Sequence, residues 1–514
     1  MSKTIIIIGA GLAGHSAALQ AAENGCNVKL VSSLPSERAQ SVMAEGGINA
    51  ALNTKDENDS PEEHFTDTIK AACGLADPNA VWGMTQAAPE LVHWLLKLGV
   101  KFNMSGYDDV DLRNFGGQKK KRTAFAQSDT GKQIMTAMID AVRRKEASGM
   151  VERFSHHSFL TLRLCDNICC GCVIRDEYSQ ETVELPGDAV IVATGGMHGL
   201  FGNTTGSLSN TGEVTAELFR LGVPLANGEM IQYHPTTVKC GGKRMLISEA
   251  ARGEGGRLFA MKDGKQWYFM EEKYPELGNL MPRDITAREI WKVSHESEVF
   301  LDMTEISEEI ISNKLSGLAD DCMTYLHKDI RKEPVSVLPG IHYFMGGILV
   351  DEQHRTPIQN LYAAGECCAQ YHGANRLGGN SLLGALYGGR VAAKSACEQA
   401  DVVDLSCATQ IDFPPASQIS EIKQLNKVMQ ETMGVVRNEN TLLNGIQTVQ
   451  ALTGNLPLLG MAVLKSALAR KESRGAHWRE DYPKSNDDDY LKTTVARFDG
   501  KQIQISFVPV PERR

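Results

Sequence analysis

Basic charge is in deficit in this chain. Its 514 residues carry 53 Lys and Arg against 63 Asp and Glu, a formal net charge of −10. A nucleic-acid partner requires a basic face, so that class is excluded. An anionic small substrate is not, because a few clustered arginines reverse the potential inside a cleft. Cysteine is also thin: twelve in a chain of this length is below disulfide-scaffold density. Cys169, Cys170 and Cys172 cluster, but no second pair at finger-like spacing accompanies them. They are expected to be reduced thiols in a buried strand, and no metal site is expected. Neither a haem-binding C-x-x-C-H nor a ferredoxin-like cysteine spacing occurs. Long apolar runs are missing too. Ile5–Ile8 is too short for a signal peptide or a membrane span, so a cytoplasmic protein is expected, touching membranes only through partners.

What is present is ordinary for a folded enzyme. Hydrophobic residues make up 42% and charged residues 23%, which rules out large-scale disorder. The length calls for two or three domains. Glycine outnumbers proline 48 to 18, as suits tight backbone approaches to a ligand.

Ile5-Ile6-Ile7-Ile8 is a β-branched run of the kind that forms a buried parallel strand. Gly9-Ala10-Gly11-Leu12-Ala13-Gly14 follows directly. His15 to Asn24 then reads as a helix ended by Gly25, and Cys26 to Val31 as a second strand. Asp188–Ala193 running into Gly195-Gly196, and Leu361–Ala364 running into Gly365-Glu366, repeat the strand–glycine pattern and are expected in the same sheet. Ala226 to Lys332 mixes polar loops with helical patterns and looks inserted. Ile419 to Lys471 reads as a small helical bundle. The tail from Glu480 to Arg514 is polar, and its Asp487-Asp488-Asp489 run is read as a solvated surface.

The first glycine turn has a physical reading. Gly9 permits the turn, Gly11 lets the backbone approach a pyrophosphate, and Gly14 lets the helix pack on the strand. The helix N-terminus adds unpaired N–H donors and partial positive charge. An acidic residue is expected at the end of the second strand to hold a ribose. Ser32 and Ser33 stand there instead, and taken alone this leaves FAD and NAD both open.

Further motifs recur in order along the chain. They are Ala44-Glu45-Gly46-Gly47-Ile48-Asn49-Ala50, His234-Pro235-Thr236, Arg252-Gly253-Glu254-Gly255-Gly256, Pro282-Arg283-Asp284, His342-Tyr343 with Met345-Gly346-Gly347, and His372 to Leu382. Ser473–His477 and Arg479–Pro483 follow near the end. From Ile5 to about Tyr490 the chain resembles the flavoprotein subunits of fumarate reductase and succinate dehydrogenase, with L-aspartate oxidase as a close relative.

The resemblance implies an α/β fold. A Rossmann-like FAD-binding domain is expected in two parts, 1–225 and 333–400. An α+β capping domain (226–332) is inserted between them, and a helical domain with a polar tail (401–514) follows. FAD is the implied cofactor, against Gly9, Gly11, Gly14, Ser33, Ser41, Gly46, Gly47, Glu213, Glu366, Arg376, Ser381 and Leu382. Glu213 stands where the family usually has Asp. Many members tether the flavin through a histidine, and Gln40 occupies that position here. A non-covalent flavin is therefore expected, one suited to giving electrons to an acceptor. His234, Ser248, His342 and Arg376 match the binding positions for a four-carbon dicarboxylate. Phe115 and Gly116 match the mobile loop beside it. Arg283 matches the proton donor to the substrate carbon, and Glu249 and Arg252 its relay. His15 and His372 are left outside catalysis. The implied activity is fumarate reduction, with a separate iron–sulfur subunit as electron donor.

Three alternatives stand beside this. L-aspartate oxidase must bind an ammonium, and Phe115 offers it no charge partner where that enzyme places a Glu. A reductase of another enoate would reuse the same chemistry. A non-catalytic subunit is disfavoured by the intact set of His234, Glu249, Arg252, Arg283, His342 and Arg376.

Overall fold

The computed structural model describes residues 2–106, 108–207, 209–401, 411, 413 and 418–514. Ile5, Ile6, Ile7 and Ile8 are all buried. Successive strand side chains face opposite ways, so Ile5 and Ile7 enter one core while Ile6 and Ile8 enter another. A strand buried on both faces belongs at the centre of a covered parallel sheet. The strand Thr4–Ile8 lies there, between Ala189–Val192 and Asn27–Ser32, with Leu361–Ala363 and Val151–Ser155 outside them. Every neighbouring pair is parallel. The three strand–glycine segments thus share one sheet, as expected.

On one face of this sheet the helices Leu12–Glu23 and Asn380–Gln399 pack together, with Pro78–Leu98 and Thr130–Ala147 beside them. Small residues permit the close approach: a Cβ on Gly389 would lie 2.3 Å from the Ala13 carbonyl oxygen. The other face is covered by the antiparallel sheet His157–Cys165, Ile168–Asp176 and Thr182–Pro186. Cys169, Cys170 and Cys172 lie on its middle strand as buried free thiols. Burial pushes the Cys169 thiol up to about 12, so it behaves as a small hydrophobe.

Two further antiparallel sheets draw most of their strands from residues 226–332. One joins Lys243–Leu246, Ile231–Cys240 and Leu338–Phe344; the other joins Lys265–Trp267, Arg257–Lys262, Val299–Asp302 and Val335–Ser336. The helices Ile419–Thr432, Glu439–Val449 and Asn455–Ala469 follow, around Leu425, Met429, Leu459 and Val463. The tail differs from its polar reading. Lys492–Phe498 and Ile503–Pro509 form a hairpin whose first strand pairs with Leu225–Ala226. Thr494, Val495 and Ala496 are buried there, while the second strand leaves alternate polar residues outside. Polar composition hid a half-buried strand pair. Asp487 is 68% exposed yet accepts a hydrogen bond from Arg474. Among the described residues no helix is long and apolar enough to cross a membrane.

Candidate active site

A continuous cavity of about 970 Å³ runs from the first glycine turn to the sheet that holds Ile231–Cys240. Gly9, Gly11, Ser33, Ser41 and Glu213 line one end; Gly46, Gly47, Glu366, Ser381 and Leu382 line the middle. Phe115, His234, Ser248, Glu249, Arg283, His342 and Arg376 close the other end. Gly14, Gly116 and Arg252 are not on the wall, but each supports a residue that is.

The glycine end is built by sterics. Gly9 sits at φ +112°, and a Cβ there would lie 2.2 Å from the Ala193 carbonyl oxygen. A Cβ on Gly14 would lie 1.8 Å from the Gly9 oxygen, so this glycine lets the helix Leu12–Glu23 lie on the turn. Gly11 differs: its Cβ would meet the protein only at ordinary distances, 3.6 Å from Ser41 Oγ. What it leaves room for is an occupant of the cavity. Beside it, the Leu12 N–H at the helix start donates to Ser41 Oγ at 3.2 Å. A second helix N-terminus, that of Asn380–Gln399, brings Ser381 and Leu382 to the same wall. Its preceding Gly379, at φ +83°, packs against Asn49, which a Cβ would strike at 2.1 Å. A cavity of this size with bare backbone and two helix starts fits a dinucleotide.

The far end of the cavity gathers guanidinium groups. Arg283, first residue of the helix Arg283–Val293, donates to one carboxylate oxygen of Glu249 twice, from Nε at 2.8 Å and Nη2 at 2.6 Å. The other Glu249 oxygen accepts from Arg252 Nη2 at 3.3 Å and from the Gly116 N–H at 3.2 Å. Burial pushes Glu249 up, but Arg283 and Arg252 outweigh it and hold the carboxyl below its ordinary range. Arg283 Nη1 donates to Gln232 Oε1 at 3.1 Å. Of the five N–H bonds of a guanidinium, these contacts use three, and the side chain lines the cavity.

Arg376 lies over the Tyr343 ring, 4.3 Å from its centre. Burial, and then the charge of Arg283, brings Arg376 down to about 9. The His234 and His342 rings meet edge to face at 5.2 Å. Burial and Arg283 hold both well below the ordinary histidine value, so both are neutral at pH 7. Ser248 caps the short helix Glu249–Gly253, accepting from the Ala250 N–H. Glu366 is partly committed to structure, accepting from the Phe344 N–H at 3.1 Å. His15 and His372 are buried away from the wall.

Several wall residues carry no motif. His156, His157, Glu177 and Tyr178, from the covering sheet and its turns, join the lining, as do Lys243 and Arg244 from the hairpin after His234. Ser158 and Phe159 line the cavity beside the first group, and Met245 and Leu246 beside the second; no motif marks any of them, so only the fold brings them here.

Two family models match the chain: an FAD binding domain over residues 4–382 and the fumarate reductase flavoprotein C-terminal domain over 452–513. It is 38% identical to the succinate dehydrogenase flavoprotein subunit of Bacillus subtilis, covering 100% of this chain and 98% of that one. It is 32% identical to the 8-methylmenaquinol:fumarate reductase flavoprotein subunit of Wolinella succinogenes, covering 100% and 92%. The structure aligns with that of E. coli quinol fumarate reductase at a TM-score of 0.89, with 27% identity over 99% of this chain and 97% of that one. The FAD that this family binds fits the cavity: Gly11 and the start of helix Leu12–Glu23 offer bare backbone and a helix N-terminus of the kind that suits phosphates. The chain belongs to the fumarate reductase and succinate dehydrogenase flavoprotein family and is an FAD-dependent oxidoreductase.

Proposed function

We propose that this chain reduces fumarate to succinate. The observation that carries the reading is the Arg283–Glu249–Arg252 chain, set against a cavity wall that also bears His234, His342 and Arg376. Such a cationic wall suits a dianion, and a guanidinium fork suits a carboxylate. When bound, reduced FAD supplies a hydride from N5. The protein's part is to hold and protonate the substrate. Arg376, His234, His342 and Ser248 hold the two carboxylates, and Phe115 and Gly116 shut out water beside them. Arg283 gives a proton to the carbon that does not receive the hydride. Arginine releases a proton only transiently, since its pKa lies above about 12. Glu249, 2.6 Å from Nη2, is placed to return one, with Arg252 behind it. Hydride plus proton turns the alkene into succinate.

Gln40 lines the cavity where a tethering histidine would stand. It cannot form that bond, so the flavin is held without a covalent link. This favours giving electrons to fumarate over taking them from succinate, the reverse use of the same site in the Bacillus subtilis relative's name. The cap, 226–332, is proposed to close over substrate between the two parts of the FAD domain, 1–225 and 333–400, with 401–514 as a C-terminal domain. The boundary near residue 401 meets residues outside those described. The relatives are named as subunits, which supports a separate iron–sulfur partner as donor. Anaerobic assay of the FAD-loaded protein with a reduced viologen dye tests this. Fumarate-dependent dye oxidation with succinate as product is expected. No turnover, or oxidation of L-aspartate instead, overturns it. A flavin potential well above that of free FAD overturns the direction, and purification from the native source without an iron–sulfur protein overturns the partner.

A further inference from the structure

His342 sits on the strand Leu338–Phe344 with its two ring nitrogens in different settings. Nδ1 lies 2.8 Å from Thr205 Oγ1. Among the described residues Nε2 has no hydrogen-bond partner, and the ring lines the cavity. A neutral imidazole carries one proton, on one nitrogen or the other. The choice matters for an anionic ligand: Nε2–H attracts a carboxylate oxygen, while a bare Nε2 lone pair repels it.

Thr205 bears on that choice. Its hydroxyl hydrogen has two acceptors within reach, His342 Nδ1 at 2.8 Å and the Ile341 carbonyl at 3.4 Å. The Ile341 carbonyl already accepts the Thr205 backbone N–H at 3.0 Å. The shorter contact is therefore the one to nitrogen, and O–H donation to Nδ1 leaves the ring proton on Nε2. The hydroxyl is also well fixed. The Thr205 N–H ties its backbone to Ile341, the residue next to His342. Thr204 Oγ1 pins the same turn, accepting from the Gly206 N–H at 3.1 Å and lying 3.0 Å from His198 Nδ1.

We propose that Thr205 is a positioning residue that sets the tautomer of His342, so that the ring presents Nε2–H to one carboxylate of the substrate. This rests on the fumarate reading above. The substrate class it selects is an anion with an acceptor oxygen at that place; a neutral or cationic end group gains nothing from it.

The test uses the FAD-loaded protein with malonate as probe, followed by the change in the flavin spectrum, alongside fumarate kinetics. The variants are Thr205→Val, which keeps the shape and drops the hydroxyl, Thr205→Ala as a second deletion, and Thr205→Ser as rescue. Loss of one such hydrogen bond is expected to weaken malonate roughly tenfold, about 1.4 kcal/mol. KM for fumarate should rise more than kcat falls, with full FAD content. Thr205→Ser should bind within about twofold of the parent, a difference of about 0.4 kcal/mol. Unchanged malonate affinity in Thr205→Val overturns the proposal, as does a Thr205→Ser variant as weak as Thr205→Val. Loss of FAD from both deletion variants also overturns it, since Thr205 is then a structural support. Each of these leaves the fumarate reading standing. A parent protein that neither responds to malonate nor turns over fumarate brings down both.

Discussion

Arg283 and Glu249 meet through a single carboxylate oxygen, which accepts from both Nε and Nη2 of the guanidinium at 2.8 and 2.6 Å. Glu249 is therefore asymmetric: one oxygen serves Arg283, and the other serves Arg252 and Gly116. Each oxygen of the carboxylate thus faces a different guanidinium.

Glu249→Gln keeps the shape and removes the charge. We expect kcat for fumarate to fall by about 10²–10⁴, the usual worth of acid–base catalysis. KM should stay within a few-fold, because Glu249 does not hold the substrate carboxylates. Two buried guanidinium groups lose their counter-charge, so the variant should also be destabilised by about 3–5 kcal/mol. Steady-state kinetics and urea unfolding measure the two effects. A variant with parental kcat removes Glu249 from the relay.

The buried histidines set the acid side of the stability curve. Burial lowers His15 to about 4 despite its contact with the Gly11 carbonyl. An unfolded histidine titrates near 6.5, so between about pH 6.5 and 4 the unfolded chain binds more protons than the folded one. Stability then rises with pH. The contribution of His15 is complete above about pH 6.5 and fades toward pH 4, at most about 3 kcal/mol. His64, lowered to about 3 by burial and by Arg122, adds the same sign. Melting temperature should fall from pH 7.5 to 5. His15→Gln should flatten that slope, and an equal slope in both proteins counts against His15.

Gln40 can be tested by installing what it replaces. Gln40→His is expected to yield a fraction of protein whose flavin survives denaturation, seen as a fluorescent band on a denaturing gel. The parent protein should release all its FAD on acid precipitation. A fluorescent parent band defeats the non-covalent reading.

The three turn glycines should respond differently to alanine. Gly9→Ala meets backbone at 2.2 Å at φ +112°, and Gly14→Ala meets it at 1.8 Å. Each should cost about 1–3 kcal/mol through strain or overpacking. Gly11→Ala meets nothing closer than 3.6 Å. It should fold with apo stability within about 0.5 kcal/mol of the parent and still bind FAD weakly. Thermal melts with and without FAD separate the cases; equal losses of apo stability in all three refute the distinction.

Much of the nucleotide end is legible in the order of its residues. Ile5–Ile8, the glycines and the following helix form one local unit, and local units are set by residues close in sequence. The strands at Ala189–Val192 and Leu361–Ala363 are legible for the same reason: short apolar runs leading into glycine have few other uses. The hairpin Lys492–Phe498 with Ile503–Pro509 is not, because polar residues interrupt its apolar ones and a polar stretch precedes it.

Sequence settles which residue types are available: a glycine turn at Gly9, arginines at 252, 283 and 376, and glutamine instead of histidine at 40. Which of them meet is decided by tertiary packing. Arg283 reaches Glu249 across 34 positions, and Thr205 reaches His342 across 137. Such pairs depend on how strands and helices pack, which no local pattern encodes. The same packing excludes water, and that turns a row of ordinary arginines and histidines into a buried, charged site.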